Sequence, residues 1–344
     1  MHIFRGLHHP GIAPACALTI GNFDGVHRGH RAMLALLNRQ AQERGVVSCA
    51  LTFEPHPRDY FAAALHKPAL APARIGTLRD KLSELAQCGV QQAIVLPFNA
   101  TLAAQPAQAF IDEVLVRSLG ARYVLVGDDF RFGAQRAGDC ALLKASASAQ
   151  GFEVGRMESY VVDGLRISST AVRQALASGD MAAAAQLLGR PYAISGHVVH
   201  GRKLGRALGA SRQGADDGFR TLNLRFTHWK PAASGIFAVH VHGLSEQPLP
   251  GVANLGVRPS IDPSDVNGGR VLLETHCLEW PAHLGAEGAY GKIIRVELLH
   301  KLHDELKYDS LDALTTGIAR DGVEARAWFA AHAQTRRQTT RDRI

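Results

Sequence analysis

The chain has 344 residues, 46% of them hydrophobic and 20% charged, with a formal net charge of +7. That length holds two domains with separate cores, and no apolar run approaches the ~18 residues a membrane span needs. Five scattered cysteines without a Cys-x-x-Cys pair exclude a disulfide framework and a zinc site and read as reduced thiols, while the positive balance suits anionic ligands such as nucleotides.

The N-terminus lacks the apolar region of a signal peptide, so a cytoplasmic protein is expected. Ala17–Ile20 reads as a short buried strand. It runs into Gly21-Asn22-Phe23-Asp24-Gly25-Val26-His27-Arg28-Gly29-His30. Met33, Leu36, Leu37 and Ala41 then recur at helical spacing up to Gly45. Val46–Phe53 is an apolar strand that ends at Glu54-Pro55-His56-Pro57. Thr77 with Asp80 resembles a capping box opening a helix over Leu78–Cys88, with Leu78, Leu82 and Leu85 on one face. Ala93–Leu96 is the next strand. Pro106 begins a helix carrying Phe110, Val114 and Leu115. Tyr123–Val126 is a strand that runs into Gly127–Gly133. Ser168 or Ser169 caps a helix carrying Arg173. This alternation predicts a parallel sheet covered by helices on both faces.

Near Gly189-Arg190-Pro191 the helical periodicity stops. Short β-type stretches follow at Tyr192–Val199, Thr221–Phe226, Gly235–His242, Val271–Glu279 and Lys292–Leu299. They predict a small antiparallel barrel. After Ser310 an amphipathic helix carries Leu311, Leu314, Ile318 and Trp328 and is expected to pack on it. The domain border falls at residue 188, giving 1–187 and 188–344. The arginines after Thr335 read as a solvated end.

Chemistry concentrates in three places. The Gly21–His30 stretch is a glycine-rich strand-to-helix turn with two histidines in the first helical turn. Glycines let a phosphate approach the backbone, and a helix N-terminus offers it free N–H groups. His27 and His30 on one face can donate to phosphate oxygens. Gly127–Gly133 also follows a strand, and in open α/β sheets ligands bind beyond the strands' carboxyl ends, so the two stretches are expected to share a cleft. Ile167-Ser168-Ser169-Thr170 with Arg173 is a second phosphate-type segment. Isolated histidines such as His56, His66, His197, His200, His240 and His242 read as surface or strand residues. His240 and His242 have no evident third partner for a metal.

The ordered set of motifs resembles the bifunctional bacterial riboflavin kinase/FAD synthetases over nearly the whole chain. Gly21–His30 resembles that family's adenylyltransferase signature. Val126–Gly133, with Arg136 and Gly138, is similar to its flavin-side loop. Ile167–Arg173 is similar to its second phosphate signature. Gly201-Arg-Lys203-Leu-Gly205, Val252–Pro259, Leu273-Glu274-Thr-His276 and Tyr290-Gly-Lys resemble its kinase module. The resemblance implies an α/β nucleotidyltransferase domain with a Rossmann-like parallel sheet. A small antiparallel β-barrel with a C-terminal helix would follow it.

It also implies two reactions: phosphorylation of riboflavin to FMN in the barrel, and adenylylation of FMN to FAD plus pyrophosphate in the first domain. Riboflavin, FMN and ATP would be the substrates and Mg²⁺ the cofactor; neither a membrane nor nucleic acid is expected as a partner. Carried over by resemblance, His27, His30 and Glu274 are the catalytic positions, with Glu274 as general base. Gly21, Asn22, Phe23, Asp24, Gly25, Ser168, Ser169, Thr170, Arg173, Gly201, Lys203 and Gly205 bind ATP or phosphate. Asp129, Phe130, Phe132, Asn254 and Arg258 bind flavin. Thr221 and Asn223 hold the metal; their i, i+2 spacing puts both on one strand face.

The chain departs from the family in two places. Arg220-Thr221-Leu222-Asn223 stands where the family has Pro-Thr-Ala-Asn, and residues 210–217 are extra. A chain that is mainly an FMN adenylyltransferase, with a weak or flavin-binding-only kinase module, is the alternative these departures raise.

Overall fold

A computed structural model describes residues 1–162, 164–200, 221–225, 230–258, 270–285 and 287–341. The chain divides into two compact units. One is Met1–Pro72 with Leu78–Ala171; the other is Ala73–Thr77 with Val172–Ile344.

The first unit is a doubly wound parallel sheet. Its strands are β1 (His2–Arg5), β2 (Cys16–Ile20), β3 (Val47–Glu54), β4 (Gln92–Pro97), β5 (Ala121–Gly127) and β6 (Glu153–Met157), in the order β1-β4-β3-β2-β5-β6. Every neighbouring pair is parallel. Crossovers run through α1 (Arg28–Glu43), α2 (Pro57–Ala64) and α3 (Leu78–Gln87). After β4 come α4 (Ala100–Ala104), α5 (Ala107–Ala109, continuing as π turns over Phe110–Ser118) and, after β5, α6 (Cys140–Gln150). Strand residues alternate between two cores. Leu18, Leu51, Ile94 and Val124 face α5 and α6. Ala17, Ala50, Tyr123 and Leu125 face α1 and α3, where Leu34, Leu37 and Leu85 close the layer. The chain enters the sheet's centre at β2, goes one way to β3 and β4, then the other way to β5 and β6. The switch point lies between β2 and β5, beyond whose carboxyl ends ligands bind in such sheets.

The second unit holds a closed antiparallel barrel of β9 (Tyr192–Val199), β10 (Thr221–Arg225), β11 (Gly235–His242), β12 (Leu249–Arg258), β13 (Arg270–Cys277) and β14 (Ile293–His303). The order is β10-β13-β12-β11-β14-β9. A two-stranded hairpin, β7 (Val161–Val162) and β8 (Leu165–Arg166), and helices α7 (Ser169–Ser178) and α8 (Met181–Leu188) precede the barrel in sequence. A long helix, α9 (Leu311–Arg341), follows it. Helix α9 packs on the barrel: Phe329 stacks on His240 and Trp328 on His300. His303 pairs with Asp321 of this helix at 2.9 Å. So His240 is a packing residue. His56, read as a surface or strand residue, is neither: it is 4% exposed and caps α2, its Nδ1 accepting from the Arg58 N–H.

Two expectations change. Strand β12 is a full member of the barrel, although Pro250, Gly251 and Gly256 interrupt its strand pattern; its ladders to β11 and β13 supply what local propensity lacks. Helix α3 buries Lys81 and Glu84 beside Leu85, while Leu78 and Leu82 are only half buried.

Candidate active sites

The Gly21–His30 turn leaves the carboxyl end of β2, and Gly127–Gly133 leaves that of β5, its neighbour. Both stretches therefore emerge at the switch point. The turn is tight: Phe23 has φ +47°, Gly25 +84° and Val26 +39°. A β-branched residue at positive φ is strained and persists only where the surroundings hold it. Phe23 and Val26 are both buried and supply that hold.

His27 lies just before α1 rather than in its first turn. It is the N-cap, its Nδ1 accepting from the His30 N–H at 3.3 Å. Accepting through Nδ1 puts the proton of the neutral ring on Nε2. The two imidazoles stack 3.7 Å apart, and Phe23 meets His30 edge-on at 5.2 Å. His30 Nδ1 is buried with no hydrogen-bond partner among the described residues. Burial, then His27 and Lys81, pushes the His30 pKa well below its ordinary 6.5, so the ring is neutral at pH 7.

Ser168 and Ser169 divide their work. Ser168 Oγ accepts from the Ala171 N–H at 3.2 Å and caps α7. Ser169 Oγ donates to the Asp24 carbonyl at 3.0 Å, tying the second phosphate-type segment to the first. Thr170 is exposed beside them. Arg173 belongs to the second unit, where its Nε donates to the Ala73 carbonyl at 2.7 Å.

In the loop after β5, Asp129 is exposed, Phe130 is half buried and Phe132 belongs to the core. Phe130 stacks on Phe132 at 5.4 Å, and Phe132 packs on Phe110. Gly133 holds φ +73° with Ala107 so close that a Cβ would sit 2.6 Å from its Cα. Only glycine fits there. The carboxylate fixed in this loop is Asp128: Ser159 Oγ donates to it at 2.6 Å. That hydroxyl, with Arg166, holds the Asp128 carboxyl below its ordinary range.

On the barrel, β10, β13 and β12 are neighbours, and their register sets Asn223 opposite Glu274 and Glu274 opposite Asn254. Directly opposed residues share a face and lie about 5 Å apart at Cβ. Leu222, Leu224, Leu273, Thr275, Ala253 and Leu255 alternate with this row and are buried at 3% exposure or less, which makes theirs the interior face. The row of Asn223, Glu274 and Asn254 therefore stands on the outer face, with Thr221 one step along it. Asn223 Nδ2 donates to the Thr221 carbonyl at 3.2 Å. Asn254 Oδ1 is buried with no hydrogen-bond partner among the described residues. Arg258 ends β12. Gly201, Lys203 and Gly205, the 210–217 stretch and Arg220 lie outside the described residues.

An FAD synthetase family model matches residues 10–171, and a riboflavin kinase family model matches residues 188–329. The bifunctional riboflavin kinase/FMN adenylyltransferase of Escherichia coli (strain K12) is 44% identical over 331 residues, spanning 96% of this chain and 98% of that one. This chain belongs to that family. The bifunctional riboflavin kinase/FMN adenylyltransferase of Pseudomonas fluorescens is 40% identical over 97% of this chain and 99% of its own length. A crystal structure described as a macrolide-efflux protein from Streptococcus pneumoniae has a TM-score of 0.70 and 25% identity, covering 95% of this chain and all of that one. No helix among the described residues is long and apolar enough to cross a membrane.

Three features of this family member escaped the sequence reading. Lys81 and Glu84 of α3 are buried at 3% exposure, and Arg31 reaches Glu84 at 3.5 Å. Asp128, rather than Asp129, is the hydrogen-bonded carboxylate of its loop. Phe53, the last residue but one of β3, joins Tyr60, Phe61 and Phe98 in an aromatic cluster at the carboxyl ends of β3 and β4, with Phe61 45% exposed. The signal for this last feature was present in Glu54–Phe61, where two prolines and two aromatics follow a strand.

Proposed function

We propose that this chain makes flavin cofactors in two steps, with its border at residue 188. Residues 188–344 transfer the γ-phosphate of ATP to riboflavin, giving FMN. Residues 1–187 transfer AMP from ATP to FMN, giving FAD and pyrophosphate. The observation that carries the reading is that two built sites occupy two separate units: a stacked histidine pair on a strained phosphate turn, and a carboxylate flanked by two amides on a barrel face.

Adenylyl transfer asks the protein mainly for alignment and charge stabilisation. An FMN phosphate oxygen attacks the α-phosphorus of ATP, and the bond to the β-phosphate oxygen breaks. His27 offers Nε2–H to the developing charge, and neutral His30 supports it by stacking. Gly21–Gly25 line the phosphate path, and Ser168, Ser169 and Thr170 serve the pyrophosphate side. Asp129, Phe130, Phe132 and the exposed aromatic face at the same sheet edge suit a planar ring bearing a phosphate.

In the kinase reaction, Glu274 takes the proton of the ribityl hydroxyl as its oxygen attacks the γ-phosphorus, and the bond from that phosphorus to the β–γ bridging oxygen breaks, releasing ADP. Asn254 and Arg258 orient the flavin, and Gly201, Lys203 and Gly205 serve the nucleotide. The residues present fit Mg²⁺: a hydroxyl and amide oxygens are hard donors, and Mg²⁺ takes few protein ligands beside substrate phosphates. Thr221 and Asn223 would hold it. When bound, Mg²⁺ neutralises phosphate charge in transfer reactions. A cytoplasmic location, where ATP is supplied, completes the reading. The Arg220 and Leu222 departures and the extra residues 210–217 favour, as second reading, an adenylyltransferase with a weak kinase.

The test is one incubation of purified full-length protein with riboflavin, ATP and Mg²⁺, followed by chromatographic separation of flavins. FMN should form first and FAD from it. Riboflavin left untouched while added FMN becomes FAD would establish the second reading; no FAD from FMN would overturn the first.

A further inference from the structure

Helix α3 buries charge where its pattern promises leucines. Lys81 is 3% exposed, and Thr52, at the end of β3, is wholly buried. Lys81 Nζ donates to Thr52 Oγ1 at 3.1 Å, and Thr52 Oγ1 lies 3.4 Å from the Asn22 carbonyl oxygen. The direction of this relay is fixed by chemistry. An ammonium can only donate, so the Thr52 oxygen accepts from Lys81 and its single hydrogen is left for Asn22. Asn22 opens the strained turn, one residue before Phe23 at φ +47°. A buried ammonium needs hydrogen-bonding partners, and the Thr52 hydroxyl is one that links it to the turn.

We propose that Lys81 is a positioning residue for adenylyl transfer: a buried cation that, through Thr52, pins the Asn22 turn beneath the transferred phosphate. The proposal rests on the reading of the first unit as an FMN adenylyltransferase. Lys81 also bears on His30. The groups that depress the His30 pKa, after burial itself, are His27 from the cap and Lys81 from α3. The neighbouring Arg31 and Glu84 pair with each other. Lys81 thus helps hold the turn and helps keep His30 neutral, and the two effects are separable.

The experiment uses the full chain with Lys81→Met, Lys81→Arg and Thr52→Val. Riboflavin phosphorylation in the same molecule reports that the barrel is folded. Lys81→Met should lower kcat for FAD formation about 100-fold, as a misplaced reacting group does, with KM for ATP changed no more than about twofold. Its His30 C2–H resonance should titrate at higher pH than in the wild type. Lys81→Arg should recover part of kcat and leave His30 low. Thr52→Val should lower kcat about tenfold and leave the His30 titration in place. A Lys81→Met protein with lowered melting temperature but wild-type kcat and an unmoved His30 titration would overturn the proposal and make Lys81 a packing residue. If Lys81→Met does not fold, wild-type kcat in both Thr52→Val and Lys81→Arg overturns it. Wild-type protein that makes no FAD at all would refute the functional reading instead, and the His30 titration, which needs no substrate, would still decide whether Lys81 acts on that ring.

Discussion

His27 does two jobs with one ring, and two substitutions separate them. Its Nδ1 caps α1 by accepting the His30 N–H at 3.3 Å, and its face stacks on His30 at 3.7 Å. His27→Ala removes the acceptor and the ring. His27→Asn keeps a side-chain oxygen of the kind favoured at an N-cap and removes only the ring. A cap is worth about 1 kcal/mol, and this bond is long. A domain of this size shifts by about 2–4 °C per kcal/mol. His27→Ala should therefore lower the melting temperature of the first unit by about 2–4 °C, and His27→Asn should leave it close to wild type. The chemistry responds differently. Losing a preorganised donor to developing charge costs about 10²–10³ in rate, so both variants should lose that much FAD formation from FMN. Riboflavin phosphorylation should be unchanged in both. The assays are thermal denaturation and chromatographic separation of flavins. His27→Asn with FAD formation within about threefold of wild type would refute the chemical role. His27→Ala with an unshifted transition would refute the cap.

Acid should destabilise the first unit through His30. Its folded pKa is depressed, so below the unfolded value of about 6.5 the unfolded chain binds a proton that the folded chain does not. Stability then falls with falling pH by up to about 1.4 kcal/mol per unit. Urea denaturation between about pH 7 and pH 5 should show this slope, and His30→Phe should flatten it. Glu274→Gln keeps shape but cannot take a proton; FMN formation should drop by about 10²–10⁴ while FAD formation from added FMN is spared. Ser169→Ala removes the donor to the Asp24 carbonyl at 3.0 Å, a bond worth about 1 kcal/mol, and should lower kcat/KM for FAD formation about fivefold.

Much of the first unit was legible because a doubly covered parallel sheet leaves plain marks. Its four inner strands are short apolar runs and fall within about two residues of the predicted bounds, whereas the edge strands β1 and β6 carry charged residues, form no apolar run and have no predicted counterpart. What the pattern could not show was which polar residues are buried. Lys81, three residues after Leu78 and four before Leu85, falls along the leucine stripe of α3 and Glu84 on its flank, but by residue type both read as solvated. Their burial depends on Thr52 and Arg31, which come from other elements. The pattern puts His27 inside the helix, because histidine is not among the residues that ordinarily mark a cap. Only the backbone angles and the Nδ1 contact move it one position out.

The barrel presents the converse case. Resemblance named Asn223, Glu274 and Asn254 one at a time, on three strands far apart in sequence. Nothing in their spacing says that they meet; the register does, and the register is set by other residues. Leu224, Leu273 and Leu255 are fully buried, and Leu224 and Leu255 each stand opposite Leu273. A slip of one residue on any of the three strands would turn leucines outward and the polar row inward. The apolar interior therefore fixes which side chains share the outer face. In this barrel the alignment of the proposed base with its two amides follows from the packing of the leucines behind them.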